Sequence, residues 1–427
     1  MSFLKYIQSP SGKKYVSAFV TEIFVVLCSV LLFRICLMNY GESDFSVYSI
    51  YRRGFSFLQP LLMIGLGVGI PRYVSLYFHD REKVSQYYSA ATLIILSVCI
   101  ISSLILLLAA SSFSVLIFGD EFYQYLIPPL VLMLNGVLLY NISYSYFRGI
   151  LNMAMANIFQ IIFLGLIPIL TMTWTDSLEN YFYWNGILWI TVAVIGWFIG
   201  YNYSGRKFRI ERDSAKDLLK YGLYRLPGDI ALGFFFLLPV IVILHQTHDT
   251  ILAGYVAFAI TLINLVGSFF TPICVVLLAQ SGNLIAEKKY ITLKKLSIKL
   301  TILVFGLVVP GIIIFEFFTG WILELYLSSV NETIIQICRL IFLSSLGYAL
   351  YIALRSIPDA LFVKPINSLY ILASMFVFGV ICLYNYYHGY DTYILLCGFV
   401  FSLSLLGVLT LSKTFVSLNR LIEKEKV

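Results

Sequence analysis

Twelve runs of roughly 20 predominantly apolar residues follow one another along the chain, and that pattern confines it to a lipid bilayer. The runs span residues 16–38, 54–78, 91–110, 126–147, 154–173, 184–203, 226–244, 251–278, 300–315, 334–354, 366–384 and 392–411. They are about twice too long for barrel strands and do not alternate in polarity, so helices are expected. Only 12% of the 427 residues are charged and 60% are hydrophobic, whereas a soluble domain carries about 25% charged residues. A soluble multidomain protein, a disordered chain, a disulfide scaffold and a nucleic-acid module are therefore excluded. The first run exceeds the 7–15 residues or so of a signal-peptide core, so no cleavable signal is expected.

The charges test this map. The N-terminus, every second connection and the C-terminus together hold 25 of the 29 Lys and Arg. The opposite connections contain Asp120, Glu121, Asp176, Glu179, Asp249, Glu316, Glu324, Glu332 and Asp391, and no basic residue if Arg52 and Arg53 are counted with the second run. The positive-inside rule then places both termini in the cytoplasm. A missing or extra helix would scramble this sorting. The net charge of +7 is thus mainly a topology signal. The basic stretches at 206–212 and 288–299 are read as orientation determinants that touch anionic lipid headgroups rather than as partner sites. All seven cysteines lie in apolar runs without CxxC or CxH spacing, which predicts buried inert thiols. His245 and His248 lie near an external connection without metal-ligand company and are read as solvated.

A weak internal repeat divides the chain. A shift of 207 positions aligns Tyr48 with Tyr255, Tyr144 with Tyr351, Arg148 with Arg355, Ile150 with Ile357 and Asn152 with Asp359. The last four pairs share the pattern Tyr-x-x-x-Arg-x-Ile-x-Asn/Asp at the end of the fourth run of each half. Six runs per half is an even number, so both halves enter from the same side and the repeat is parallel. The expected fold class is an all-α polytopic membrane protein, with twelve transmembrane helices in two parallel six-helix bundles around a central cavity. The bundles are residues 1–203 and 225–427, joined by a cytoplasmic linker at 204–224.

No Walker, dinucleotide, His-Glu-x-x-His or Gly-x-Ser-x-Gly motif is present, and no external connection is long enough for a catalytic domain. Transport is expected rather than catalysis. Charges inside the apolar runs are the informative residues, because they are costly there. Glu22 lies about 9 Å into the first run, where it either carries a proton or faces a wet vestibule. Arg34, near the outer end of the same run, either snorkels to the interface or contacts an anion. It lies about 120° around the helix from Glu22, so the two do not pair along one stripe. Arg52 and Arg53 stand against the positive-inside trend. Either Glu42 and Asp44 pair with them, or they face a cavity and attract phosphate, which guanidinium binds in bidentate fashion. Arg339 either snorkels or lines the lumen. Arg148 and Arg355 are anchors or a ring that first meets an anionic headgroup. Gly65, Gly67 and Gly69, with Pro60 and Pro71, permit close packing and a bend. Pro239, Pro272 and Pro310 permit bends in later runs.

The stretches Tyr40-Gly-Glu-Ser-Asp-Phe-Ser-Val-Tyr48 and Leu58-Gln-Pro-Leu-Leu-Met-Ile-Gly-Leu-Gly-Val-Gly-Ile-Pro-Arg-Tyr73 resemble the start of polysaccharide flippases. These belong to the multidrug/oligosaccharidyl-lipid/polysaccharide exporter superfamily. Lys220-Tyr-Gly-Leu-Tyr-Arg-Leu-Pro-Gly-Asp229 resembles the entry to their seventh helix, and Ala253-Gly-Tyr255 echoes the segment after it. The motifs are loose, but their order spans the whole chain. The resemblance implies a Wzx-type O-antigen flippase of the bacterial inner membrane. Such a protein moves undecaprenyl-diphosphate-linked oligosaccharide to the periplasmic leaflet by alternating access. It implies no cofactor, coupling to a proton or sodium gradient, and a polysaccharide polymerase and a chain-length regulator as partners beside the membrane lipids. By the same resemblance Arg34, Arg52, Arg53 and Arg339 become lumen contacts for diphosphate or acidic sugar. Arg225 and Asp229 match a polar pair on the seventh helix, and Glu22 or Asp229 would couple the ion. The alternatives are a multidrug exporter of the same fold, which would favour an acidic cavity, and a membrane polysaccharide polymerase or ligase.

Overall fold

A computed structural model describes residues 10–205, 208–327, 330–362 and 366–426, all of whose regular elements are helical. Eleven helical stretches among them are long and apolar enough to cross a membrane. One of these, within Pro10–Met63, is two spans. Gly41 interrupts it with φ 83° and ψ −177°, a region that only glycine occupies comfortably. The two arms, α1 (10–40) and α2 (42–63), fold back on each other. Phe33 meets Tyr48 at 5.2 Å between ring centres, and Ser29 meets Arg52 at 3.0 Å. On a straight helix residues 23 apart would lie about 35 Å apart. Counting the hairpin as two gives twelve spans among the described residues.

Two boundaries differ from the hydropathy reading. The second span begins just after Gly41, not at 54, because Ser46, Tyr48, Ser49 and Tyr51 lower the hydropathy yet are buried. Ser49 Oγ donates to the Phe45 carbonyl at 2.8 Å, so its hydroxyl needs no water. The ninth span, α12 (Tyr290–Leu327), runs past 315. Glu316 and Glu324 are therefore inside a helix rather than in a connection.

The chain divides into two compact units, Met1–Gly233 and Phe234–Val427. In the first, α2 is followed by α3 (Leu66–Leu76), α4 (Arg81–Leu108), α5 (Ala110–Phe118), α6 (Ile127–Gly149), α7 (Met153–Gln160), α8 (Ile167–Trp174) and α9 (Leu178–Tyr203). The buried α6 forms the core, with α3, α4 and α9 against it. A π-helical segment, Ile161–Leu166, joins α7 to α8. Helix α10 (Arg212–Thr247) begins in this unit and contains its boundary. The division falls later than the polar stretch 204–224 because that stretch is strapped to the first unit. Arg209 pairs with Glu82, Lys83 with Glu211 at 3.5 Å, and Tyr87 donates to Asp217 at 3.0 Å. The α2–α3 break at Ile64 and Gly65 is crossed by α10 at Gly222, backbone against backbone. A Cβ at Gly222 would lie 1.9 Å from the Ile64 carbonyl oxygen. The bend thus sits at the glycine run, held by the seventh helix.

The second unit contains the rest of α10 and α11 (Thr250–Ala286), α12, α13 (Glu332–Phe342), α14 (Ser345–Leu354), α15 (Ser356–Leu361), α16 (Ile366–Tyr387) and α17 (Thr392–Lys426). Phe235, Phe378 and Phe399 meet at its core with ring centres 5.6–5.8 Å apart. The bend in α12 falls at Phe318 (φ −112°), not at Pro310. Both units turn large apolar side chains outward, including Leu108 at 87%, Phe317 at 78% and Phe376 at 72% exposure. That surface suits lipid and not water.

Candidate functional site

The repeat has a common local geometry. Arg148 lies over the Tyr144 ring at 5.4 Å, and Arg355 over Tyr351 at 5.7 Å. The i, i+4 spacing on a helix puts each pair on one face. Asn152 then caps α7 by accepting from the Met155 N–H, and Asp359 accepts from Asn367 Nδ2 at 2.8 Å.

In the first unit a polar chain starts from this pair. Tyr144 donates to Gln160 Oε1 at 3.2 Å, and Gln160 Nε2 donates to Glu22 Oε2 at 2.8 Å. One turn nearer the helix start, Asn157 Nδ2 donates to Ser17 Oγ at 3.1 Å. Glu22 on α1 is thereby linked to Arg148 on α6 through two side chains on neighbouring helices. The π-helical segment follows Gln160 directly, and such segments recur at functional sites. It lets α1 approach closely: a Cβ at Gly165 would meet Phe24 at 3.0 Å. Above the chain, Tyr140 stacks on Phe163 at 4.1 Å, and Phe163 on Trp189 at 4.4 Å. Tyr140 also stacks on Tyr144 at 5.3 Å, so the buried rings of Tyr140, Phe163 and Trp189 cover the polar chain on that side. Sequence reasoning singled out Glu22 and Arg148 but missed Gln160, an amide inside an apolar run.

A second cluster surrounds Arg52. It lies 11 residues past Gly41, about 16 Å along α2, near the middle of a hydrocarbon core about 30 Å thick. Its Nη1 donates to Ser29 Oγ at 3.0 Å and lies 3.5 Å from the Tyr48 hydroxyl. The guanidinium sits over the rings of Phe33 and Tyr48 at 5.1 and 5.8 Å. The partners given by these contacts are two hydroxyls and two π-faces on the hairpin. Asp44, suggested from sequence, is eight residues back along α2, about 12 Å away. Arg53 beside it is buried, at 5% exposure. Arg34 is half-buried on α1.

The other sequence candidates are dispersed. Arg339 is in the second unit on α13, where its Nε donates to Thr319 Oγ1 of α12 at 3.3 Å. Asp229 is half-buried on α10. The Arg225 side chain lies outside the described residues. Among the described residues no group of His, Cys, Asp and Glu could hold a metal ion, and the seven cysteines are free thiols.

The chain matches no family model and no curated protein. Solved structures do match it. An inward-facing multidrug resistance MATE family transporter of the MOP superfamily aligns with a TM-score of 0.78 at 13% identity, over 95% of this chain and 99% of that one. An outward-facing structure under the same description aligns at 0.68 and 13% identity, over 99% of each chain. A MOP superfamily transporter from Pyrococcus furiosus, described as having a binding pocket of reverse polarity that suggests a different function, aligns at 0.70 and 13% identity, over 96% of each chain. The twelve-span, two-unit architecture of this chain is the fold of the MATE transporters of the MOP superfamily.

Proposed function

We propose that this protein is a secondary transporter that exports an amphiphile from the bacterial cytoplasm by alternating access. The observation that carries the reading is the fold, because structures sharing it are described as transporters in inward-facing and outward-facing conformations. Drug export is the substrate class those descriptions support. In this reading both termini are cytoplasmic and the chain spans the inner membrane.

A second reading is favoured by one observation. Arg52 offers a cation about halfway through the bilayer, with two hydroxyls and two rings for company. Such a group attracts a diphosphate or acidic sugar and repels a cationic drug. It supports export of undecaprenyl-diphosphate-linked oligosaccharide, with Arg34 and Arg53 as further contacts for the diphosphate or acidic sugar and Arg148, Arg355 and Arg225 as the residues that meet the headgroup. A polymerase and a chain-length regulator would then receive the product. In either reading Glu22, braced by Gln160, is the carboxylate through which a proton or sodium gradient resets the cycle, with Asp229 as the second candidate.

A deletion strain separates the two. Drug export predicts increased drug susceptibility with normal periplasmic glycan. Lipid-linked oligosaccharide export predicts lipid-linked units trapped on the cytoplasmic leaflet with unchanged susceptibility. A deletion that changes neither refutes the proposal.

A further inference from the structure

Arg339 and Glu316 share a cavity in the second unit. It has a volume of 560 Å³ and is lined by Glu316, Thr333, Gln336, Arg339, Asp391 and Thr392 among others. Arg339 is seven residues into α13, about 10 Å from that helix end. Glu316 is eleven residues before the end of α12, about 16 Å deep. Asp391 caps α17, accepting from the Tyr393 N–H at 2.7 Å. All three ends belong to the acidic, non-cytoplasmic side of the charge map. The rim includes Leu343 at 44% and Tyr393 at 64% exposure, and the neighbouring Phe317 and Trp321 are also exposed apolar side chains. The cavity therefore opens among side chains of the kind that face lipid.

Its charges are not used up internally. The ion pairs closer than 4.0 Å among the described residues are Lys83–Glu211, Arg209–Glu82 and Lys289–Glu287, and Arg339 with Glu316 is not among them. Arg339 donates from its Nε to Thr319 Oγ1, and its charge attracts the Glu316 carboxylate without the two closing to an ion pair. Glu316 Oε1 is buried without a hydrogen-bond partner there. A buried polar atom left in that state is costly unless a ligand completes it. Two carboxylates stand against one guanidinium, so a plain anion is disfavoured and a molecule carrying both signs fits.

We propose that this cavity binds the headgroup of an outer-leaflet phospholipid bearing both a phosphate and a primary ammonium, as in phosphatidylethanolamine. The phosphate takes the free guanidinium donors of Arg339 with the Thr333 and Thr392 hydroxyls. The ammonium takes Glu316 Oε1 and Asp391. The acyl chains leave past Leu343 and Tyr393 into the bilayer. Nothing in this depends on whether the exported substrate is a drug or a lipid-linked glycan.

The test is native mass spectrometry of the delipidated full-length protein titrated separately with phosphatidylethanolamine, phosphatidylglycerol and phosphatidylcholine. The wild type is expected to bind phosphatidylethanolamine about tenfold more tightly than either of the others, from one or two charge-assisted hydrogen bonds. Arg339→Gln and Glu316→Gln should each abolish that preference, and Gln336→Leu, which removes a lining amide but no charge, should weaken it less. Melting temperatures of the variants establish that they are folded. Should a charge variant fail to fold, Thr392→Val supplies the phosphate-side test. Equal binding of the three lipids overturns the proposal. So does preference for phosphatidylglycerol, or a preference that survives in the folded charge variants.

Discussion

The crossing of α10 over the α2–α3 break makes a quantitative claim about one atom. In Gly222→Ala the new methyl would lie 1.9 Å from the Ile64 carbonyl oxygen and 3.1 Å from its carbon. Carbon contacts settle at about 3.5–4.0 Å, so the two backbones must part by about 1.5 Å. Overpacking of this kind costs about 1–3 kcal/mol, and alanine returns up to about 1 kcal/mol of helix propensity. So close an approach puts the overpacking in the upper part of that range, about 2–3 kcal/mol, so the net loss is about 1–2 kcal/mol, or a melting temperature lower by about 2–8 °C for a unit of this size. Gly306→Ala on α12 is the matched control, because nothing lies within 4 Å of its added methyl, and it should be neutral or slightly stabilising. The assay is temperature-dependent aggregation of purified protein followed by size-exclusion chromatography. Gly65→Ala should be destabilising by itself, since φ there is +67° and its methyl would lie 2.7 Å from the Gly222 Cα. The double variant should cost less than the sum, because the first methyl has already parted the strands of contact. If Gly222→Ala melts with the wild type, the backbones do not touch and the bend is held by something else.

Other substitutions probe the remaining features. Gly41→Ala places a side chain at φ 83° and should cost about 1–3 kcal/mol, read as a lower melting temperature although its methyl meets no neighbour. Glu22→Gln keeps an acceptor for Gln160 but removes the titratable charge, so export into everted vesicles should lose its dependence on an imposed proton or sodium gradient while the protein stays folded. Arg52→Met should cut export of an anionic lipid-linked substrate by more than about tenfold, with Arg52→Lys recovering part of it, whereas drug efflux should not fall. Arg148→Gln should cost about 0.5–1 kcal/mol from the lost ring contact, and Arg355→Gln should cost more, because that guanidinium also meets Cys274; melting temperatures of the two variants check the order.

The helix count was legible because lipid-facing residues must be apolar over the full thickness, and that leaves a periodic record in hydropathy. The hairpin at Gly41 was misplaced for the opposite reason. Phe45 to Tyr51 face protein rather than lipid, so hydroxyls there cost little and break the record. Glu316 falls outside the ninth hydropathy run for a similar reason, since one carboxylate ends such a run without ending a helix. Arg148 and Arg355 were found through the repeat, and each sits on its own tyrosine as the spacing implies. Gln160 left no trace, because its partners Glu22 and Tyr144 are 138 and 16 positions away and only the fold brings them together. The π-helical segment is likewise invisible in composition.

The position of Arg52 and Arg53 has a consequence for how the chain enters the membrane. Each arginine near a helix centre opposes insertion by about 2.5–3.5 kcal/mol, so α2 is a poor candidate to partition into lipid unaided. Its remedy lies on α1, where Ser29 and Phe33 accommodate one guanidinium. The translocon would therefore have to retain α1 until α2 emerges and release them as a hairpin. The first span then acts as an internal chaperone for the second, and truncations that keep α2 while deleting α1 should leave it on the wrong side of the membrane.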